Sequence, residues 1–173
     1  MNYGAATATD NVTASPAITY SKASGTTFAP GTTTVTATAT DVAGEADRDL
    51  DGVKNVLELA FGTDPNNGGS GTGALNYVGT FAGGGTIGQR GQPIVRAEGT
   101  DRRALFMRRI DYAAAGLTYA VEFTGDLSTW EASAATPLML ASDGTYEIVS
   151  VPYPSFVSGK QARYFRARVT LAP

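Results

Sequence analysis

The chain has 173 residues, with 16 acidic and 13 basic residues, a formal net charge of -3, and neither cysteine nor histidine. An apolar share of 42% is ordinary for a folding chain and excludes an intrinsically disordered one. The missing residue types exclude disulfides, thiolate or imidazole metal sites, cysteine nucleophiles and the usual Ser-His-Asp arrangement.

Residues 2–44 contain two predicted strands, "AITY" at 17–20 and "TTTVTATATD" at 32–41, separated by the turn-rich segment "SKASGTTFAPG". In the second run Val35, Ala37 and Ala39 alternate with threonines. One face of this strand is therefore apolar and the other carries hydroxyls. Such alternation indicates an antiparallel strand that covers a core.

The segment "ATDNVTASPAITYSKASGTTFAPGTTTVTATATDVAG" resembles the hyalin repeat (HYR), an immunoglobulin-like extracellular module. The residues that match the HYR pattern are Asp10, Ser24, Gly25, Phe28, Gly31, Val35, Ala39, Asp41 and Gly44. The resemblance implies a partial immunoglobulin-like module over residues 1–45, without the usual opening and closing strands. The open edge needs a partner strand, from "ALNYVGTF" at 74–81 or from a neighbouring copy.

The next segment, "DRDLDGVKNVLE" at 47–58, has acidic residues at places one, three, five and twelve and glycine at place six. This is the ligand spacing of an EF-hand calcium loop. Four carboxylates this close would repel one another without a counter-cation. The sequence predicts Ca²⁺ as cofactor. The candidate ligands are Asp47, Asp49, Asp51, the Val53 carbonyl, Asn55 and Glu58, with Asp64 as an outer partner.

After the loop, "VKNVLELAF" at 53–61 predicts a short helix that ends at Gly62. No entering helix precedes the loop. It therefore resembles the half-hands of dockerin and bacterial thrombospondin type 3 repeats, and residues 62–65 match their common Gly-Thr-Asp-Pro continuation. The resemblance implies a calcium-binding unit over residues 46–66. We expect a bound ion to act mechanically, by fixing the angle between the two sandwiches and by protecting the connecting segment from proteolysis.

Residues 67–100 are rich in glycine and are predicted to hold a linker and the first strands of a second module. Residues 101–173 predict an antiparallel β-sandwich, with strand patterns at 104–110, 118–123, 146–151 and 163–171. The predicted fold class is all-β: two immunoglobulin-like antiparallel β-sandwiches joined by an EF-hand-like calcium loop with one short helix.

The C-terminal part is similar to β-rich C-terminal regions of secreted or surface proteins from Verrucomicrobia-like and Planctomycete-like bacteria. A Leu-Thr-Tyr-x-Val-Glu strand at 117–122, an Asp-Leu-x-x-Trp turn at 126–130 and a Phe-Arg-x-Arg-Val strand at 165–169 carry the similarity. It implies an extracellular or cell-surface location and says nothing of chemistry.

These features favour a non-catalytic, calcium-stabilised structural or adhesive module, either within a larger surface protein or as the subunit of an extracellular fibre joined head to tail by strand addition. The alternative is a polysaccharide-binding module attached to a secreted enzyme. Its candidate sugar-stacking residues are Trp130, Tyr146, Tyr153 and Phe156. Core packing of Trp130 is the competing interpretation.

Enzyme activity is not expected, because the dense acidic set already belongs to the metal pattern. Arginines of the second half alternate with strand residues and are balanced by acids, which indicates a solvated strand face rather than a nucleic-acid groove. No apolar run is long enough to predict a membrane span.

Overall fold

The computed structural model describes residues 2–8, 17–40 and 46–171. This part is mostly β, with several antiparallel sheets and one helix, so the all-β prediction is confirmed. The HYR-matching residues Asp10, Asp41 and Gly44 lie outside the described residues.

In chain order the elements are β1 Ala17–Tyr20, β2 Ala37–Thr40, α1 Asn55–Phe61, β3 Asn76–Thr80, β4 Gly83–Gln89, β5 Ile94–Glu98, β6 Asp101–Arg109, β7 Leu117–Thr124, β8 Glu131–Ala132, β9 Leu138–Ser142, β10 Tyr146–Pro152, β11 Phe156–Val157, β12 Lys160–Gln161 and β13 Tyr164–Leu171.

Strands β1 and β2 form a two-stranded antiparallel sheet near the N-terminus, with Tyr20 opposite Ala37. The second strand is shorter than predicted, because β1 offers only four residues to pair with. Of the side chains described between residues 2 and 40, none is buried. Val35 and Ala37, predicted to cover a core, instead line an open apolar cavity of about 810 Å³.

A four-stranded sheet in the order β5-β6-β10-β9 forms the centre of the C-terminal region. One face packs on the three-stranded sheet β13-β7-β8, where Phe106 meets Phe123. The other face is covered by the β3–β4 hairpin, where Leu105 meets Tyr77. Residues 104–107 are consequently all buried. A strand covered on both faces has a continuous apolar run, whereas a two-sheet sandwich would bury alternate residues only.

Strand β3 does not complete the N-terminal sheet. It pairs with β4, from Asn76 opposite Gln89 to Thr80 opposite Gly83. The hypothesis that residues 74–81 supply the missing strand is therefore wrong. The physical reason is the hydrophobic effect: Leu75 and Phe81 are buried in the C-terminal core, and removing their apolar surface from water stabilises this arrangement.

Helix α1 packs directly on the C-terminal region. Phe61 enters the core between the two larger sheets, and Ala60 packs against Leu117. Two tyrosine hydroxyls bind carbonyls near the helix C-terminus: Tyr119 donates to Ala60 O at 2.8 Å and Tyr146 to Leu59 O at 3.0 Å. These contacts fix the position of the acidic loop that precedes the helix.

The helix ends as predicted, because Gly62 adopts a left-handed conformation with φ 75° and its N–H caps the Glu58 carbonyl. The capped turn places residue 58 one turn before the end of a helix whose buried face lies on the core. Glu58 is consequently held rigidly and fully buried.

Candidate metal site

The three aspartates of the loop converge. Asp47, Asp49 and Asp51 each present a carboxylate oxygen, and these oxygens lie within 4.8 Å of one another. At such separations ionised carboxylates repel strongly in a partly buried setting, so the arrangement favours a cation among them.

One oxygen of each aspartate shapes the loop. The N–H of Gly52 donates to Asp47 Oδ2 at 2.9 Å, that of Val53 to Asp51 Oδ1 at 2.8 Å, and that of Asp51 to Asp49 Oδ1 at 3.3 Å. The other oxygen of each, Asp47 Oδ1, Asp49 Oδ2 and Asp51 Oδ2, is buried without a hydrogen-bond partner. Buried polar atoms are normally paired, so three unpaired oxygens in one loop call for a ligand.

Two loop residues have positive φ, Gly52 at 90° and Leu50 at 61°. Glycine adopts this conformation at no steric cost. Leu50 does so with a side chain that is 85% exposed and therefore gains little from packing. Backbone strain is thus concentrated at the curve that brings the aspartates together.

Glu58 adds a carboxylate from helix α1 that lies outside the group of three converging aspartates but near enough for the charges of Asp49 and Asp51 to act on it. Its side chain is fully buried. Thr63 Oγ1 donates to Glu58 Oε1 at 3.5 Å, and Oε2 has no partner. Burial, followed by the charges of Asp49 and Asp51, raises the pKa of Glu58 from 4.5 to about 7. The buried carboxyl group of Glu58 thus lies near the carboxylates of Asp49 and Asp51, and a bound cation would stabilise this arrangement.

The other predicted ligands have distinct places. Asn55 is buried, and its Oδ1 accepts a hydrogen bond from the Arg48 N–H at 3.0 Å, which ties the start of the loop to the helix. One lone pair of that oxygen remains for a water or an ion. Val53 directs its N–H to Asp51, and its carbonyl remains a predicted ligand.

Asp64, the predicted outer partner, lies outside the group of three converging aspartates. It is exposed, and its Oδ1 accepts hydrogen bonds from the backbone N–H and the side-chain amide of Asn66 at 3.0 and 3.3 Å. Its own N–H donates to Ser70 Oγ at 2.9 Å. Asp64 therefore organises the turn that follows the helix.

Sequence reasoning missed the part of this turn that borders the site. Gly71 is buried, and a Cβ added there would lie 2.6 Å from Asp51 Oδ2 and 3.2 Å from Glu58 Oε1. The only sequence signal was the density of glycines in residues 68–73, which is also typical of a linker.

The candidate sugar-stacking residues do not form one platform. Tyr146 is buried in the core beneath the hairpin, so its predicted surface role is wrong. Trp130 lies under the guanidinium of Arg166, at 4.3 Å from the ring centroid. Tyr153 and Phe156 do come together, in a surface depression of about 250 Å³.

Within the described residues, no helix is both long and apolar enough to cross a membrane. Comparison of the chain with family models, with curated proteins and with solved structures gives no match in any of the three.

Proposed function

We propose that this chain is a non-catalytic structural or adhesive module of a secreted or cell-surface bacterial protein, stabilised by one Ca²⁺ ion in the loop 47–58. One observation carries the proposal. Each of four neighbouring carboxylates uses one oxygen in a hydrogen bond and has a second oxygen that is buried and unpaired. Such a set is matched by a cation that takes only oxygen ligands.

Calcium suits this donor set better than magnesium or zinc. Ca²⁺ takes six to eight oxygens at about 2.3 to 2.6 Å in flexible geometry and accepts a bidentate glutamate, the role proposed for Glu58. Mg²⁺ needs a tighter octahedron and retains water. Zinc favours nitrogen and sulfur ligands, and the chain has neither histidine nor cysteine.

The proposed role of the ion is mechanical. The loop leads into helix α1, whose apolar residues pack on the C-terminal core and whose carbonyls bind Tyr119 and Tyr146. An ion that binds only the ordered loop stabilises the folded chain by about 2.7 kcal/mol at a concentration of about 100 times Kd. Calcium would thereby hold the segment between the N-terminal strands and the C-terminal region in one conformation and protect it from proteolysis.

Isothermal titration tests the calcium site. We expect the unaltered chain to bind one Ca²⁺, and Asp49→Ala, Glu58→Ala to lose the binding heat. Asp101→Ala, Glu131→Ala is the matched control, because it removes two exposed acids elsewhere and leaves the same net charge. Equal heats from all three proteins, or no heat from the unaltered chain, contradict the proposal.

The resemblances to HYR modules, to thrombospondin type 3 and dockerin half-hands, and to C-terminal regions of bacterial surface proteins support the extracellular assignment and the two-module interpretation. The N-terminal sheet, which has only two strands among the described residues, supports assembly by strand addition. Its cavity of about 810 Å³ is lined by apolar side chains that include Tyr3, Tyr20 and Phe28. A strand from a neighbouring copy would cover this surface and pair the open edge.

Light scattering and negative-stain microscopy test assembly into a fibre. With calcium present, we expect particles that lengthen as the protein concentration rises, because head-to-tail strand addition does not close into a ring. A stable monomer at every concentration contradicts the fibre and leaves the calcium site unaffected.

The second candidate function, polysaccharide binding, is favoured by the depression at Phe156. Phe156 is 68% exposed, Tyr153 Oη is buried without a partner, and Arg102 and Gln161 add polar groups to the same depression. An exposed ring beside polar side chains suits a sugar.

Affinity electrophoresis in gels that contain soluble polysaccharides tests this alternative. We expect retardation that Phe156→Ala abolishes. Leu138→Ala is the control, because Leu138 is another exposed apolar side chain, at 49% exposure. Equal mobility of the unaltered chain with and without polysaccharide contradicts the alternative.

A further inference from the structure

A turn outside the ligand loop forms one wall of the acidic cluster. A Cβ added at Gly68 would lie 3.4 Å from the Asp49 carbonyl oxygen and 3.4 Å from Asp51 Cβ. A Cβ added at Gly71 would lie 2.6 Å from Asp51 Oδ2 and 3.2 Å from Glu58 Oε1. The backbone of residues 68–71 therefore lies close to the loop, and at Gly71 no room remains for a side chain beside the carboxylates of Asp51 and Glu58.

Glycine is required at residue 71 for space. Its φ is not among the positive values that other glycines of the chain adopt, so its conformation is open to other residues. A contact of 2.6 Å is shorter than real Cβ atoms make, so any larger residue must displace the Asp51 carboxylate or the turn. Gly71 thus sets how closely the wall approaches the unpaired oxygen of Asp51.

Gln92 holds this wall to the C-terminal region, just before strand β5. Its side-chain Nε2 donates to the Gly71 carbonyl at 2.7 Å, and its backbone N–H donates to the Gly73 carbonyl at 2.7 Å. Its own carbonyl accepts the N–H of Leu75 at 2.9 Å. Three hydrogen bonds from one residue fix the turn in place.

We propose that Gly71 and Gln92 are positioning residues of the metal site, which set its cation affinity although neither lies in the ligand loop. Gly71 lets the wall pack against the unpaired Oδ2 of Asp51 and against Oε1 of Glu58, and so restrains both carboxylates in the site. Gln92 anchors that wall. The inference depends on the proposed calcium site. Residues that orient ligands contribute to metal affinity beyond the ligands themselves. Because Gln92 lies just before β5, the anchor would couple the metal site to the central sheet.

Calcium titration of two glycine variants tests the wall. We expect Gly71→Ala to weaken binding by about 10-fold to 100-fold, the usual loss when the groups that orient metal ligands are altered, because the added Cβ must displace the Asp51 carboxylate or the turn. Gly69→Ala is the matched control in the same turn, because its Cβ would meet only Asn67 Oδ1, at an acceptable 3.4 Å. We expect this variant to stay within about twofold of the unaltered chain.

Gln92→Leu tests the anchor and keeps the test decisive if Gly71→Ala does not fold. Leucine preserves the backbone hydrogen bonds of residue 92 and removes the donor to the Gly71 carbonyl. We expect calcium binding to weaken beyond any loss of stability caused by the unpaired Gly71 carbonyl, and denaturant unfolding in chelator measures that loss separately. A purely structural role would lower the unfolding midpoint in chelator and leave the calcium affinity unchanged.

The outcomes separate this inference from the proposed function. If the unaltered chain binds no calcium, both are overturned. If it binds calcium and both Gly71→Ala and Gln92→Leu bind equally well, the wall has no role and the calcium site stands. Selective weakening in these two variants, with Gly69→Ala unaffected, supports the inference.

Discussion

The N-terminal strands and the C-terminal sheets arise from the same kind of sequence pattern and reach different degrees of packing. In β1 and β2 alternating residues pair in register, yet none of the side chains described between residues 2 and 40 is buried. In the C-terminal region two sheets, a hairpin and α1 enclose three clusters of buried side chains. Strand pairing is therefore not sufficient for a core; a second layer must cover the strands.

The acidic loop lies at the boundary between these regions and belongs physically to the second. Its helix contributes Phe61 to the C-terminal core, and its wall is anchored by Gln92. A cation bound in the loop would thus stabilise the layered region directly. The N-terminal strands would benefit only through the chain that connects them.

We expect the largest difference in unfolding free energy between the two regions when one phenylalanine in each is replaced by alanine. Phe106 is fully buried and stacks at 6.1 Å on Tyr119, so Phe106→Ala should lower the free energy of unfolding by about 3 to 5 kcal/mol. Phe28 is only partly buried, and Phe28→Ala should change the same transition by less than about 1 kcal/mol. Denaturant unfolding followed by the fluorescence of Trp130, the single tryptophan, measures both. Equal losses of unfolding free energy in the two variants would contradict the difference in packing between the two regions.

Glu58→Gln should have opposite effects with and without calcium. The pKa of Glu58 is about 7 in the folded chain and 4.5 ordinarily, so ionisation of this group opposes folding as the pH rises through that interval. In chelator at pH 8 we expect the variant to be more stable by about 2 to 3 kcal/mol. In excess calcium it should be the less stable protein, because a ligand is lost. Thermal unfolding under both conditions measures the reversal, and a variant less stable in both would contradict it.

Tyr119→Phe tests whether α1 is part of the layered region. The hydroxyl donates to the Ala60 carbonyl at 2.8 Å and accepts the Arg109 N–H at 3.4 Å. Its removal leaves two backbone groups without partners and should cost about 1 to 2 kcal/mol of unfolding free energy. Tyr164→Phe is the control, since Tyr164 is 46% exposed. Equal stability of the two variants would mean that the helix is not docked.

The smallest effect is expected at Leu50, where the strain of the loop is local. Asparagine tolerates a φ of 61° better than leucine, so Leu50→Asn should stabilise the chain by about 0.5 to 1 kcal/mol. Thermal unfolding in chelator measures the gain. A loss of stability would show that the exposed leucine makes a favourable contact of its own.

Features coded by local sequence were predictable. The spacing of Asp47, Asp49 and Asp51 predicted a cluster of carboxylates, and the three side chains do converge. Gly62 predicted the end of the helix. Both depend on residues a few places apart, where chain geometry leaves few alternatives.

Features that depend on distant contacts were not predictable. The run "ALFM" at 104–107 does not reveal that β6 is covered on both faces, because the covering hairpin comes from residues 76–89. Gly71 looks like any linker glycine until the fold brings it to Asp51 Oδ2. Burial of Tyr146 likewise depends on layers formed elsewhere in the chain.

Residue-resolved hydrogen exchange with calcium or with chelator tests the central claim most directly, because it compares the two regions in one experiment. The amides of Gly52 and Val53, which donate to Asp47 and Asp51, report on the loop. We predict that calcium slows exchange in residues 47–61 and in the wall at 68–71, and leaves residues 17–40 unchanged. No slowing in the loop, or slowing confined to the N-terminal strands, would contradict the account.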